Sequence, residues 1–580
     1  VRPHPTGAGA TVADGPGVTR TTRVSGDLRE TGRSRVPVHH EAFTVEAMTS
    51  EALPIQRPVD PAAPPGSCDG PHGPSPRHSR VAVVGAGFTG LAVGLALLRR
   101  GVHDFVLLER ADDVGGVWRD NTYPGVGVDT PSPLYQLRAM TNPDWSDLYA
   151  PGHEVQDYAR RLARSTGLLD HVRFDADVLS ARWDPADARW RIATPSGEFT
   201  ADVLVSAAGL VADPKLPDVE GLADFPGPVF HSARWDHDAD LTGSRVAVVG
   251  TGATAVQLVP ELQPRVAELH VLQRTPAWIL PKPERPVGER TRRTLAANPL
   301  LCRMQFDVMY VGAELLAATR RSRLLREALT RVGRRHLAAQ TPDPQLRARL
   351  TPDFDYACKR PLVSNDYLPA MSAPNTTLHT GGLTRVEGRT VVSGDGSRAE
   401  VDAIVLTTGF EVGATAPIAR RIHDAHGRSL HDHWGSYPRA YLGMSYPGFP
   451  NLFLMQGPNA TSGASSTLLF SEAQARYVAD AVCRMAAEGI RALDVKPAVE
   501  ERWTRRIRRR SARTVYETGG CASYYQNDEG VNVVMWPANT AEYQLRTRRF
   551  RLSPFDVERS RTGAGRPLHP LRPVRLAATA

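Results

Sequence analysis

Residues 81–109 read VAVVGAGFTGLAVGLALLRRGVHDFVLLE, and this stretch decides the fold. Val81–Val84 is a short β-branched run of the kind that forms a buried strand. Gly85, Gly87 and Gly90 then fall in a G-x-G-x-x-G pattern. The apolar residues from Leu91 to Arg100 follow at helical spacing, and Val102–Leu108 predicts a second strand ending in Glu109. Strand, glycine loop, helix, strand and acid within about 30 residues is the pattern of a dinucleotide site. Gly85 permits the tight turn, Gly87 lets backbone approach a pyrophosphate, and Gly90 lets helix pack on strand. The helix N-terminus, beginning near Thr89, faces the phosphates, and Glu109 is placed to accept hydrogen bonds from ribose hydroxyls.

A second unit of the same kind starts at Arg245. Strand Arg245–Val249 precedes Gly250-Thr251-Gly252-Ala253-Thr254-Ala255, in which Ala255 takes the third glycine position. A helix is expected from about Ala255 to Leu262, with Gln257 on its first turns, and a strand over Leu269–Leu272. This strand ends in Gln273-Arg274-Thr275 rather than an acid. An acid would repel a 2′-phosphate, whereas Arg274 and the Thr275 hydroxyl would bind one. The first site therefore reads as an FAD site and the second as an NADPH site. Two such sites suggest electron transfer between bound cofactors, as in disulfide reductases, simple flavin oxidoreductases and flavin monooxygenases. The disulfide reductases need a closely spaced cysteine pair, and Cys68, Cys302, Cys358, Cys483 and Cys521 supply none. The same spacing suggests neither a disulfide framework nor a metal site.

The 580 residues carry 70 Lys+Arg against 62 Asp+Glu, a net +8 that is mild for the length. The one dense basic run, Arg505–Arg510, reads as a solvated helix face rather than a nucleic-acid site. No apolar stretch is long enough to span a bilayer, and a cytoplasmic location is expected. Residues 1–78, with 12 Pro and 9 Gly and no hydrophobic periodicity, read as a disordered extension without a secretory signal. The first methionine is Met48, so translation starting near it is one expectation. The tail 555–580 is expected to be loose.

Two longer segments carry a family resemblance. Phe225-Pro226-Gly227-Pro228-Val229-Phe230-His231-Ser232-Ala233-Arg234-Trp235-Asp236 resembles the F-x-G-x-x-x-H-x-x-x-W-[P/D] fingerprint of type I Baeyer–Villiger monooxygenases. Gly115-Gly116-Val117-Trp118, Tyr123-Pro124-Gly125 and Asp129 resemble their second fingerprint. The related N- and S-oxygenating flavin-containing monooxygenases usually carry Tyr or Phe in place of Trp235. The resemblance covers residues 80–550. It implies an α/β fold of two dinucleotide-binding Rossmann-like domains, the NADPH domain carrying a helical insertion and itself inserted into the FAD domain. The expected division is 79–225 and 411–554 for FAD and 226–410 for NADPH, with the insertion at about 283–350. Residues 402–410 (DAIVLTTGF) resemble the strand that returns the chain to the FAD domain, with Thr407 where the family has Ala.

The resemblance also implies chemistry: FAD, reduced by NADPH, and O2 insert one oxygen next to a ketone carbonyl, giving an ester or lactone. The oxygen nucleophile is anionic and needs a cation that cannot protonate it, which suits arginine. The family's Lys-Arg pair corresponds to Lys359-Arg360. Arg360 is the catalytic candidate, Asp129 would orient it, and Lys359 would sit near the 2′-phosphate. Val117, Trp118, Tyr135, Val178 and Thr467 match positions along the flavin. His231 belongs to a linker that couples conformations, anchored by Trp235 and Asp236, and is not an acid or base. Where the family commonly has Ser-Trp near the C-terminus, this chain has Ser523-Tyr524, and the Tyr524 hydroxyl could donate to the nicotinamide cofactor. The rival functions are heteroatom oxygenation on the same scaffold and non-catalytic dinucleotide binding.

Overall fold

A computed structural model describes residues 77–463 and 465–560. The extension before Arg77, with Met48 and Cys68, and the tail after Ser560 lie outside the described residues.

The first sheet is built around β1 (Arg77–Val84), β2 (Phe105–Leu108) and β3 (Gly197–Ser206). β1 lies between β2 and β3, parallel to both, with Val81 opposite Phe105 and Val203. Alternation along β1 splits its side chains between two cores. Val81 and Val83 pack with helix α1 (Phe88–Arg99), while Ala82 and Val84 face Trp183, Trp190 and Phe449. Ser180–Asp184 and Arg189–Thr194 form an antiparallel hairpin that leads into β3. β1 starts three residues before the expected Arg80, because Arg77–Ser79 pair with Phe199–Ala201 of β3.

The second sheet is all parallel. Its strands are β4 (Val229–His231), β5 (Arg245–Val249), β6 (Glu268–Gln273), β7 (Thr376–Thr380) and β8 (Ala403–Leu406), in the spatial order β7-β6-β5-β8-β4. Helix α2 (Ala253–Leu262) follows β5 and buries Val256, Leu258 and Val259 on the sheet. Between β6 and β7 stand the helices Glu289–Ala297, Pro299–Leu316, Arg323–Gln340 and Pro344–Arg349, followed by the short helix Tyr367–Met371. The chain then returns to the first sheet, where β9 (Leu452–Leu454) adds to β3 in parallel, and helix α3 (Leu468–Glu488) packs against α1. One chain thus carries two Rossmann-like units, the second sheet lying in sequence between strands of the first.

One expectation about the C-terminal part changes, and the reading of the arginine run as a solvated helix face holds. Phe555–Arg559 is a strand, antiparallel to Ile490–Val495, and not the start of a loose tail. Phe555 is buried against Tyr441 and Phe550, an apolar anchor inside a polar-looking stretch. The arginine run lies within one helix, Pro497–Ser511, whose Ile507 is buried and whose Arg510 pairs with Glu542 at 2.5 Å.

Candidate active site

The first glycine loop closes onto backbone on every side. Gly85 has φ +98°, and a Cβ there would lie 2.8 Å from the Ala207 carbonyl oxygen. A Cβ on Gly90 would lie 2.0 Å from the Gly85 oxygen, so only glycine lets α1 start here. Gly87 bridges to Gly115, whose N–H donates to the Ala86 carbonyl at 3.1 Å. Two glycine segments, 85–90 and 115–116, thereby face each other as a cradle without side chains. The first turn of α1 has no acid and no side-chain cap, leaving N–H groups for an anion.

One cleft joins these pieces. It is lined by Gly85, Gly87, Thr89, Glu109, Val117, Trp118, Asp129, Tyr135, Val178, Arg360, Thr467 and Tyr524, twelve residues singled out above. Gly90 stands behind it, where its small size matters. Glu109 is buried and accepts from Ala86 N at 2.8 Å, Ala111 N at 3.2 Å and Arg119 Nη1 at 2.8 Å. Oε2 holds only the Ala86 bond, so a lone pair is left for a hydroxyl. Arg119 was not visible as a partner of Glu109, because only the fold brings residue 119 back beneath β2. Arg110, paired with Asp213 at 2.7 Å, lines the same cleft and was likewise missed.

At the other end of the cleft, Arg360 donates to the Asp129 carboxylate and, at 3.2 Å, to Thr130 Oγ1. The Asp129 charge raises the pKa of the guanidinium further, so it stays cationic at any working pH. Trp118 Nε1 donates to the Tyr135 oxygen at 3.1 Å, and the two rings meet edge-on. Burial pushes the Tyr135 phenol up to about 12, which keeps it a neutral hydroxyl. Tyr524 reaches the cleft with its ring 4.5 Å from that of Tyr525.

Cys358 and Cys521 form a disulfide, contrary to the expectation of none. Their separation of 163 residues hid the pair from any reading of local spacing, while folding brings their Cα atoms to 6.1 Å.

The second glycine loop repeats the logic. Gly250 has φ +119°, and a Cβ there would meet the Thr407 carbonyl oxygen at 2.6 Å. Thr407 donates to the Val249 carbonyl at 2.8 Å, a use for the hydroxyl that the family's alanine lacks. Gly252 faces open space and caps α2 without a side-chain bond, and the first turn has no acid. Ala255 is fully buried behind the loop. Thr251 donates to the Thr275 carbonyl at 2.7 Å, which ties the loop to the end of β6. Gln257 is committed elsewhere: it accepts from Tyr123 at 2.8 Å and donates to the Gly127 carbonyl at 3.0 Å. It clamps α2 to the loop before Asp129 rather than presenting its amide to a ligand. Arg274 is exposed just past β6. Burial, together with the Arg274 charge, pulls the Lys359 ammonium below its ordinary pKa.

The long fingerprint forms part of the second sheet. Its centre is β4, the edge strand beside β8. Phe225 is buried, and a Cβ on Gly227 would lie 2.2 Å from the Asp402 oxygen. Burial lowers His231 to about 4, and its Nδ1 accepts from Ala233 N at 3.1 Å. It is a neutral structural acceptor, stacked edge-on against Phe410 after β8. Trp235 meets Phe230 edge-on at 5.0 Å, and Asp236 accepts from Asp238 N at 3.0 Å. Among the described residues no group of three or more His, Cys, Asp or Glu could hold a metal, and no helix is long and apolar enough to cross a membrane.

Residues 78–286 match the flavin-binding monooxygenase-like family model. A Baeyer–Villiger monooxygenase of Streptomyces coelicolor is 44% identical over 485 residues, covering 83% of this chain and 93% of the relative. One from Pseudomonas aeruginosa is 38% identical over 83% of this chain and 92% of its own length. Among solved structures, cyclohexanone monooxygenase from Rhodococcus sp. Phi1 bound to NADP+ superposes with TM-score 0.74 at 26% identity, covering 84% of this chain and all of that one. A steroid monooxygenase bound to NADP gives 0.73 at 26% identity, covering 83% of this chain and all of its own.

Proposed function

Because the chain belongs to the Baeyer–Villiger monooxygenases, we propose that it uses FAD, NADPH and O2 to insert one oxygen beside the carbonyl of a ketone, giving an ester or lactone. The observation that carries this is the Arg360–Asp129 pair at the end of a cleft that starts at an uncapped glycine cradle. The bound flavin, once reduced by NADPH, supplies the activation of O2.

The chain's own residues do the rest. The N–H groups at the start of α1 and the bare loop 85–90 fit a pyrophosphate. Glu109 Oε2 accepts from a ribose hydroxyl. Gly252 and the uncapped start of α2 fit the second pyrophosphate, and Arg274 with Lys359 fits a 2′-phosphate. Arg360 holds negative charge on oxygen at the cleft end without giving up a proton, and Asp129 fixes the direction of its fork. Trp118 and Tyr135 line that end of the cleft with an apolar, edge-on ring pair.

The test is purified protein carrying flavin, assayed for NADPH oxidation with panels of ketones, amines and sulfides, with product masses. Ester or lactone formation that depends on Arg360 supports the reading. Oxygenation of amines or sulfides alone, with ketones untouched, overturns it in favour of heteroatom chemistry.

A further inference from the structure

The helical insertion presents a face that no described part of the chain covers. Helix Pro299–Leu316 buries Cys302 and Phe306 on its inner side, where Phe306 meets Leu134 and Leu469. Its outer side is apolar as well. Leu300, Met304, Val308, Val311 and Leu315 are between 53% and 69% exposed. Their spacing of three and four puts them on one stripe, about 22 Å long at 1.5 Å per residue. The remaining exposed positions of this helix are Pro, Leu or Gly, and the Asp307 carboxylate at the edge of the stripe is paired with Arg138. A helix with apolar residues on two opposite sides normally has something against both. The stripe continues past the helix end, where Leu324 is 79% exposed at the start of the next helix.

Charge is concentrated around this stripe. Residues 289–340 hold eleven arginines against four carboxylates, a net +7, when the whole chain carries +8. The four acids are engaged: Glu289 with Arg293, Glu327 with Arg323, Asp307 with Arg138, and Glu314 with the Thr540 N–H. Arginines bracket the stripe at both ends, Arg290, Arg292 and Arg293 before it and Arg321 and Arg323 after it.

We infer that this face seats the enzyme on the surface of an anionic lipid bilayer, with the stripe at the acyl boundary and the arginines among the headgroups. An apolar stripe flanked by arginine is the composition of a helix that lies in the interface without crossing it. Arg320 is buried and Arg292 and Arg326 pair with Asp144 and Asp355, and anionic headgroups attract the arginines that remain in solvent. A second copy of the chain would set those arginines against an equal set, and nucleic acid would leave the apolar stripe uncovered. A ketone that partitions into lipid would be concentrated at the same surface.

The test uses the flavin-loaded enzyme in flotation with phosphatidylcholine vesicles, with and without phosphatidylglycerol, at low and high salt. Wild type should float with the anionic vesicles and bind pure phosphatidylcholine at least about tenfold more weakly. The combined Met304→Glu, Val308→Glu and Val311→Glu variant should lose at least about tenfold in binding. These side chains point to solvent, so flavin content, melting temperature and ketone turnover in vesicle-free buffer should match wild type. A second variant, Arg290→Glu with Arg323→Glu, removes exposed arginines from the two ends of the stripe and should weaken binding in low salt only. Wild type that stays with the soluble fraction, or a triple variant that floats like wild type, overturns the proposal. A wild-type dimer in sedimentation velocity that the triple variant converts to monomer also overturns it, by assigning the face to a second copy.

Discussion

The disulfide between Cys358 and Cys521 stands immediately before Lys359-Arg360 on one strand of the chain and three residues before Tyr524 on the other. It joins two segments 163 residues apart that both reach the same cleft. Gly519 N donates to nothing distant, but its carbonyl accepts from Asp355 N at 2.9 Å, so backbone pairing reinforces the same junction. Breaking this bond should therefore affect catalysis more than flavin binding. Cys521→Ser should lower stability, by about 2–4 kcal/mol if this disulfide is typical. It should also raise the NADPH consumed per product formed, with flavin content unchanged. Treating wild type with a reductant should reproduce the effect, and the same treatment should leave Cys521→Ser unaltered. Equal responses of both proteins to reductant would detach the disulfide from the coupling.

Arg360→Ala should lower ketone oxygenation about a hundredfold to a thousandfold, the range for losing one charge-stabilising group in a water-poor site. FAD binding should persist. Arg360→Lys should rescue poorly, because lysine lacks the planar fork and can give up its proton. Asp129→Asn keeps the shape but removes the charge that orients the guanidinium, so it should retain an intermediate rate. Steady-state product formation, read beside flavin absorbance, checks all three. Near wild-type turnover by Arg360→Ala would move the catalytic cation elsewhere.

Arg274→Ala should raise the KM for NADPH about tenfold or more and leave that for NADH nearly unchanged, since a charged hydrogen bond contributes about 1.5–3 kcal/mol. Lys359→Ala should act in the same direction. Titrating both nucleotides with wild type and each variant decides the matter, and equal KM values for the two nucleotides in wild type would displace the 2′-phosphate site.

Asp494 offers a test of pH dependence remote from the site. It sits in the strand Ile490–Val495 opposite Asp556, and its carboxylate accepts from Gly448 N at 3.1 Å. Burial raises its pKa to about 6, with the Asp556 charge adding to the effect. A carboxyl whose folded pKa lies above its unfolded one binds more protons when folded, so it contributes stability as pH falls from about 6 toward 3.8 and costs stability at neutral pH. Asp494→Asn should melt higher than wild type at neutral pH, and the difference should shrink to nothing by about pH 4. A difference that is constant with pH would assign the effect to packing instead.

Gly227→Ala tests the fingerprint. Its Cβ would meet the Asp402 oxygen at 2.2 Å and the Phe225 ring at 2.7 Å, so β4 must move away from the end of β8. The expected loss is about 1–3 kcal/mol in chemical denaturation. An unchanged midpoint would show that the edge strand can shift freely.

The dinucleotide units were legible in the linear sequence because their constraints are local. A strand, a turn that only glycine can make, and a helix at 3.6 periodicity occupy adjacent residues, so Gly85, Gly90 and Gly250 announce themselves. The fingerprints behave the same way, since Trp118 and Asp129 lie close in sequence to the glycines they accompany. What the linear order cannot express is partnership across long separations. Glu109 needed the fold to find Arg119 beneath it, Gln257 to be committed to Tyr123 and Gly127, and Cys358 to meet Cys521. Phe555 read as tail because a strand's apolar anchor acquires meaning only beside Phe550 and Tyr441. The apolar stripe on Pro299–Leu316 read as ordinary helix, because periodicity reports that a side is apolar and not whether anything covers it. Local backbone geometry was thus decided by the sequence alone, whereas burial, charge pairing and exposure depend on which distant surfaces meet, and only the tertiary structure decided those.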